Sequence, residues 1–358
     1  MSTSVIDPGL AVVEERKPPV MTAFRSALPS LMAVLAAFVL FAVFILVKGV
    51  NPLTAYHDMF TATLTEPTAL GDIAIRATPI VLAALAVTVP ARAGLINVGG
   101  EGQLMMGGLG AMAVSLALGG NANGPLTLVL MALAGMAAGA IWAAFAAVLR
   151  LVVGISESVT TLLLNYIALD LLLFLIYDPW KDLKGSGQPA TEPLHATERL
   201  PIIGDGRVHL GVGIALVAAV VLWALLSRTA WGFRIRVVGG NSEAARRSGL
   251  PVGPLLISAM AVGGAMAGLG GFVQLAGVEF KLRQGFLATY GYIGFLASWL
   301  GRHRPLLVVV SGTALAAIAI GGNSLQIDSG LPAASVNVLM ALLLLSFFWV
   351  GKRRTVTS

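Results

Sequence analysis

Long apolar runs separated by short polar segments make up most of this chain. A helix needs about 20 mostly apolar residues to cross the hydrocarbon core of a bilayer, and most of the runs approach that length. The runs lie at residues 28–47, 73–89, 95–118, 126–149, 159–177, 210–226, 255–278, 286–300, 306–320 and 332–350. The pattern predicts an all-α polytopic membrane protein, with about ten transmembrane helices in one membrane domain at residues 28–350.

The positively charged residues fit this arrangement when both termini are cytoplasmic. The inside segments then hold 15 Lys and Arg residues and the outside segments hold 7, while Arg76 lies within a span. Such an excess on the inside sets the orientation of polytopic proteins. We therefore expect cytoplasmic tails at residues 1–27 and 351–358, an outside loop at 178–209 and an inside loop at 228–253.

Composition adds mainly exclusions. The chain is 57% hydrophobic and 11% charged, with a net charge of +6 and no cysteine. The positive charge is explained by the inside loops, and no nucleic-acid-binding motif accompanies it. The sequence has no H-E-x-x-H motif and no G-x-x-x-x-G-K-[ST] phosphate loop. We expect no catalytic residue, metal or cofactor in this chain, so ATP-driven work would require a separate subunit.

The most unusual segment lies at the start of an otherwise apolar run. Asn97, Glu101 and Gln103 fall within seven residues and are surrounded by four glycines. Glycine lowers the cost of unwinding a helix, and unwound backbone at membrane depth must be buried in protein or line water. Two interpretations stay open: the three side chains line or gate a substrate path, or they form a polar staple between helices.

A second polar cluster begins the run at 159–177. Ser156 and Glu157 suit a helix start, as a hydroxyl cap and as an acid at the positive end of the helix dipole. Asn165 lies deeper and is a candidate for the substrate path. Asp170 lies at a depth comparable to that of Arg76, and we predict a static ion pair between these two, since pairing is how buried charges usually persist.

The run at 255–278 contains a glycine-rich stretch. Gly264 and Gly268 have the small-x-x-x-small spacing that lets transmembrane helices approach closely. This pattern indicates packing. Gln274, about two turns before the outer end, is a further candidate for the substrate path.

The inside loop contains a short segment built like a capped helix. Asn241 or Ser242 caps it, Glu243 lies in its first turn, and Gly249 stops it after a pair of arginines. Two turns do not persist alone in water, so the helix must dock on its own domain or on another protein. The alternative is an arginine-rich loop resting on anionic lipid. The segment comprises Asn241, Ser242, Glu243, Ala244, Ala245, Arg246, Arg247, Ser248 and Gly249.

Three stretches together resemble the permease subunits of bacterial ABC importers, in the branch that serves ribose-type sugars, branched-chain amino acids and nucleosides. They are GLINVGGEGQ at 94–103, ESVTTLLLNYIA at 157–168, and RTAWGF at 228–233 with NSEAARRSG at 241–249. The Glu-Gly-Gln after Asn97 and the Asn-Tyr-Ile-Ala at Asn165 are most similar to nucleoside permeases.

The resemblance implies a permease domain in the bacterial cytoplasmic membrane, with two oppositely oriented halves. It implies a second permease, identical or different, across a shared path, and ATPase subunits that use ATP and Mg on the inside. It also implies an extracytoplasmic binding lipoprotein that delivers the substrate. The segment at 241–249 would then be the coupling helix, seated in a groove of the ATPase.

Three alternatives to a nucleoside importer stay open at the level of sequence. A ribose-type sugar importer differs only in its substrate. A carrier driven by protons or sodium would use Glu101 or Asp170 and need no ATPase. A membrane-embedded enzyme has the least support, because the sequence offers no nucleophile with its base and no set of metal ligands.

Overall fold

The fold is built entirely from helices. A computed structural model describes residues 20–120, 123–185, 187–204, 206–327, 329–332 and 334–356, and no β-strand occurs among them. The helices are α1 (Val20–Val47), α2 (Pro52–Leu64), α3 (Ala69–Arg92), α4 (Gly100–Leu118), α5 (Gly124–Val153), α6 (Glu157–Tyr177), α7 (Gly211–Arg228), α8 (Ala230–Gly240), α9 (Ser242–Arg247), α10 (Val252–Gln274), α11 (Tyr290–Leu300), α12 (Pro305–Ile327) and α13 (Ala334–Val356). The predicted all-α class is confirmed for this part of the chain.

Fewer helices than predicted are clear membrane spans. Among the described residues, six are long and apolar enough: α3, α5, α6, α7, α12, and α10 together with the turn that continues it. Helices α1 and α2 qualify only as a pair bent by 118°. The count of ten is therefore not confirmed. Helix α4 falls short because Glu101, Gln103 and its glycines lower its hydropathy, and α11 falls short because it has 11 residues.

The predicted tails overlap with helices. Residues 1–19 of the tail predicted at 1–27 lie outside the described residues, and α1 already begins at Val20. At the other end, α13 continues to Val356, so the tail predicted from residue 351 begins inside a helix. Residues 357–358 lie outside the described part.

Helix α10 forms the centre of the molecule, where it packs against α3, α4 and α5. Glycines make this close approach possible. A Cβ atom on Gly268 would lie 2.1 Å from the carbonyl oxygen of Gly135 in α5, and one on Gly264 would lie 2.2 Å from that of Gly139. The packing role predicted for Gly264 and Gly268 is thus confirmed.

Helix α11 is a half-length helix. At 1.5 Å per residue its 11 residues span about 16 Å, roughly half of the hydrocarbon core. The predicted helix at 286–300 was wrong at its start, because residues 286–289 are not α-helical. Phe286 is fully buried there, and a Cβ atom on Gly108 of α4 would lie 2.5 Å from its ring. Residues 286–289 thus form a non-helical turn that packs against α4.

The two long loops are ordered against the helices. The loop at 178–209 packs on the segment after α10, where the N–H groups of Thr191 and Leu194 donate to the carbonyls of Leu282 and Phe280. The inside loop is mostly helical, since α8 precedes the predicted short helix, and α8 had no counterpart in the sequence prediction.

Candidate functional site

A stripe of polar residues on α6 holds the unwound connection between α3 and α4. Glu157 Oε1 accepts the N–H of Ile96 at 3.0 Å, and Thr161 Oγ1 accepts the N–H of Val98 at 3.2 Å. One turn further, Asn165 Nδ2 donates to the carbonyl of Val98 at 3.1 Å. Residues four apart share one face of a helix, so this stripe meets backbone groups that have no helical partner of their own.

Asn97 and Gln103 form a closed pair on the other side of the same connection. Asn97 Nδ2 donates to Gln103 Oε1 at 3.0 Å, and Gln103 Nε2 donates to Asn97 Oδ1 at 2.9 Å. Asn97 also donates to the carbonyl of Ala86 in α3 and accepts the N–H of Gly99. Both side chains are buried, and their hydrogen-bonding groups bind the protein itself.

Glu101 caps the half-length helix α11 from a different helix. Its Oε1 accepts the N–H of Thr289, and its Oε2 accepts the N–H of Gly291 at 2.8 Å. The first N–H groups of a helix have no intrahelical partner and carry the positive end of its dipole, so a carboxylate is well placed there. The backbones meet closely, because a Cβ atom on Gly291 would lie 2.1 Å from the nitrogen of Glu101.

We call the residues that hold this junction the polar seam. It comprises Asn97, Glu101, Gln103, Glu157, Thr161 and Asn165. The seam brings together four of the five residues predicted for the substrate path. Gln274 is buried near the end of α10, and the described hydrogen bonds of the seam do not include it. The geometry favours the staple interpretation, and a role in the path stays a prediction.

The ion pair predicted between Arg76 and Asp170 is absent from the described residues. The guanidinium of Arg76 lies over the ring of Tyr290, with its Cζ 5.6 Å from the ring centroid. Asp170 is exposed on α6, which packs against α4 and α5, whereas α3 packs against α10, α11 and α12. The prediction was wrong because similar depth in two spans does not make those spans neighbours.

The structure also changes the roles predicted for the start of α6. Ser156 makes no capping bond, and its hydroxyl pairs with that of Ser158 at 2.8 Å. Glu157 is buried and forms an ion pair with Arg150 at the end of α5. Glu157 and Thr161 were not predicted as part of a site. Thr161 lies four and Glu157 eight residues before Asn165, and this repeat along one helical face is the sequence signal that could have found them.

A cavity of about 320 Å³ lies between α11 and α13, next to the seam. Tyr292, Thr289 and Asn337 supply its polar lining. The Tyr292 side chain also hydrogen-bonds with Asn165, which links the cavity to the seam. The exposed face of α6 is mostly apolar, but it also carries Tyr166, which is 59% exposed, and Asp170 one turn further along.

The short helix of the inside loop is formed as predicted, with Asn241 as its N-cap. Asn241 Oδ1 accepts the N–H of Ala244 at 2.9 Å, and Gly249 ends the turn with a φ of 79°. Ala245 is buried against the domain. Arg246 is 68% exposed and only loosely paired with Glu243 at 3.5 Å. The helix is docked on one side and presents its arginines on the other.

These features are those of a membrane transporter. Broken helices whose unwound backbone is bound by buried polar side chains are typical of membrane transporters, which use such junctions at the middle of the membrane. Among the described residues, no group of three His, Cys, Asp or Glu side chains could hold a metal ion.

Comparison with known proteins gives the family. The model of a family described as "Branched-chain amino acid transport system / permease component" matches residues 69–348, and the chain belongs to this family. It is a membrane-spanning permease subunit of an ABC importer and not an enzyme. The alternative of a carrier driven by an ion gradient is not supported.

Three relatives cover nearly the whole chain. A glucose ABC transporter permease protein of Haloferax volcanii is 35% identical over 88% of this chain and 85% of its own length. A guanosine ABC transporter permease protein of Bacillus subtilis is 31% identical, with 88% and 91% covered. A nucleoside ABC transporter permease protein of Lactococcus lactis is 28% identical, with 89% and 90% covered.

Proposed function

We propose that this chain and a second permease subunit form the path of an importer for nucleosides. Two polar residues on the otherwise mostly apolar exposed face of α6, Tyr166 and Asp170, carry the proposal. A carboxylate facing lipid inside a transmembrane helix is costly, so Asp170 is expected to face water or a protein partner. A path between two permeases supplies such an environment, and Tyr166 would line it beside Asp170.

The chemistry of this face suits a nucleoside. An aromatic ring such as that of Tyr166 stacks on a nucleobase, and the carboxylate of Asp170 accepts hydrogen bonds from ribose hydroxyls. The guanosine and nucleoside permeases among the relatives agree with this substrate class. Sugars are the second candidate, because the glucose permease is 35% identical to this chain.

The polar seam serves as the wall of the path in this proposal. Asn97, Glu101 and Gln103 hold the junction, and Asn165 borders the path through its contact with Tyr292. Gln274 stays a candidate at the outer end of α10.

Transport proceeds by alternating access driven from the inside. Partner ATPase subunits bind ATP and Mg, and closure of their dimer displaces the coupling helix at 241–249. Because α9 is joined to α8 by one residue and to α10 by four, its displacement would move α10, which contacts α3, α4 and α5. A binding protein delivers the substrate from outside, and both termini lie inside.

The test begins with affinity purification of the tagged chain in mild detergent and mass spectrometry of the proteins that accompany it. The complex, with its binding protein, is then reconstituted in liposomes and assayed for ATP-dependent uptake of labelled guanosine. We expect uptake that unlabelled nucleosides suppress and glucose does not. Uptake of glucose instead of guanosine would contradict the nucleoside proposal and support the sugar importer.

Variants then test the α6 face. Tyr166→Leu should lower guanosine uptake by at least about fivefold, since stacking on a base contributes about 1–3 kcal/mol. Tyr177→Leu is the matched control, as Tyr177 is an exposed tyrosine at the far end of the same helix. Equal effects of the two variants would remove Tyr166 from the path.

A further inference from the structure

Three arginines from separate parts of the chain line one cavity beside the inside loop. Arg92 ends α3, Arg236 lies in α8, and Arg304 directly precedes α12. The cavity has a volume of about 410 Å³, within the range of about 300–1,000 Å³ typical of small-molecule sites. It is therefore larger than a bound inorganic ion requires.

The charge of this cavity is unbalanced. Its lining contains no carboxylate, and none of the three arginines takes part in an ion pair among the described residues. The positive charges of Arg304 and Arg236 both act on Arg92. Like charges held together repel each other, and a bound anion is the direct way to offset that repulsion.

Two of the arginines are already fixed in position. Arg92 Nε donates to the carbonyl of His303 at 2.9 Å, and Arg236 donates to the carbonyl of Leu226 at the end of α7. These bonds orient the guanidinium groups without neutralising them. Arg304 is exposed and makes no side-chain hydrogen bond among the described contacts, so its donors are free for a ligand.

The remaining walls of the cavity are apolar except for Ser227, and the cavity is open to the outside of the protein. Trp223, Leu306 and Leu307 line it, and each is at least one third exposed. A ligand with a phosphate head and hydrocarbon chains satisfies both kinds of wall. Basic pockets between helices at the cytoplasmic surface of a membrane bind anionic lipid headgroups.

We propose that this cavity binds the phosphate headgroup of an anionic phospholipid, with Arg92, Arg236 and Arg304 around the phosphate and the acyl chains along Trp223, Leu306 and Leu307. The bound lipid braces α8 against α3 and α12. Helices α8 and α3 already meet closely, because a Cβ atom on Gly239 would lie 2.2 Å from the carbonyl oxygen of Arg92. Since α8 leads into the coupling helix, the lipid would favour coupled transport, a consequence that rests on the proposed function.

Lipid binding is measured separately from transport. The intact transporter is purified, titrated with phosphatidylglycerol or phosphatidylcholine, and examined by native mass spectrometry. We expect selective retention of phosphatidylglycerol, weakened about fivefold in Arg304→Gln and again in Arg236→Gln, since each basic residue contributes about 1 kcal/mol at an anionic surface. If the unmodified transporter binds phosphatidylglycerol selectively but does not take up nucleosides, the result counts against the proposed function and leaves the lipid site standing.

Matched controls lie two residues away. Arg302→Gln and Arg234→Gln remove the same charge from exposed positions of the same segments, outside the cavity. Equal weakening by all four variants would indicate a diffuse surface charge and overturn the site. Displacement of the lipid by inorganic phosphate would show that the cavity is a site for a free anion. Absence of bound lipid whenever the ATPase is bound would show that the cavity is an ATPase contact. Either result overturns the proposal.

Discussion

At the scale of single residues, Glu101 shows how an intramembrane acid serves the fold. Its two carboxylate oxygens accept backbone N–H groups at the start of α11, which leaves no oxygen without a partner. A proton carrier would need to release these contacts during each cycle. The geometry therefore assigns Glu101 to the framework of a transporter that draws its energy from elsewhere.

This role predicts how Glu101 tolerates substitution. Glu101→Gln keeps one acceptor but faces the other N–H with its amide donors, so we expect a loss of about 1–3 kcal/mol in stability with ATP-driven uptake retained. Glu101→Ala removes both acceptors and should be less stable. Thermal unfolding in detergent and uptake in liposomes measure the two effects. Uptake abolished in a normally folded Glu101→Gln would show that the carboxylate takes part in transport.

His303 gives a pH dependence on the inside surface. Burial, together with the nearby charge of Arg92, lowers the pKa of His303 to about 4. The unfolded chain takes up the proton near pH 6.5 and the folded chain does not, so stability falls as the pH drops from about 6.5 toward about 4. We expect the unfolding temperature to fall over this window.

Two variants, His303→Asn and His209→Asn, test how much each histidine contributes to this loss of stability. Asn tolerates the left-handed backbone of His303, whose φ is 51°. His209 in the outside loop also has a pKa lowered by burial, so it accounts for part of the same loss. His303→Asn should reduce the acid-induced fall in unfolding temperature, and the double variant should reduce it further. An unchanged fall in His303→Asn would contradict the prediction.

At the scale of elements, glycines decide how closely α10 approaches α4 and α5. Gly268→Ala places a Cβ atom 2.1 Å from the carbonyl oxygen of Gly135, which forces two backbones apart. Overpacking of this kind costs about 1–3 kcal/mol. Gly253→Ala in the same helix is the control, since its Cβ atom would lie 3.6 Å from Leu151 in ordinary contact. Thermal unfolding should separate the two variants, and equal stability would contradict the tight packing.

The sequence predicts helices better than it predicts their breaks. Hydropathy placed α3, α5, α6 and α10 within a few residues, because their apolar length is continuous. It missed α2 and α8, whose polar and charged residues keep them out of the apolar runs. It also missed the non-helical turn before α11, because a short apolar stretch does not distinguish a helix from other buried backbone. Tertiary contacts, such as Glu101 with Gly291, decide these cases.

For the candidate site, the sequence likewise predicts the polar residues better than it predicts their contact partners. Asn97, Glu101, Gln103 and Asn165 were recognisable because polar residues are rare in apolar runs, and they do converge. Their partners are mostly backbone groups, which a sequence does not reveal. The partner of Arg76 was mistaken for the same reason, since which spans are neighbours is a property of the whole fold.

At the scale of the whole molecule, the two breaks in the helical backbone, before α4 and before α11, lie side by side. Helices α4 and α11 begin beside each other, with a Cβ atom on Gly100 placed 3.5 Å from the Cα of Gly291. The predicted orientation runs α4 outward and α11 inward, which agrees with the two inverted halves that the resemblance implies. In the proposed mechanism, a displacement of α10 and its neighbours would reach the starts of both α4 and α11 through this single junction.

In the proposed mechanism, transport depends on a contact between the segment at 241–249, as coupling helix, and the ATPase. Arg246→Glu reverses an exposed charge on the coupling helix while the Asn241 cap and the buried Ala245 keep the helix in place. We expect a folded permease whose ATP-driven uptake falls at least about tenfold, because placing a like charge in a docking contact costs several kcal/mol. Arg234→Glu in α8 makes the same change outside the coupling helix and should transport normally. Uptake and co-purification of the ATPase measure the result, and unchanged uptake in Arg246→Glu would place the ATPase contact elsewhere on the inside surface.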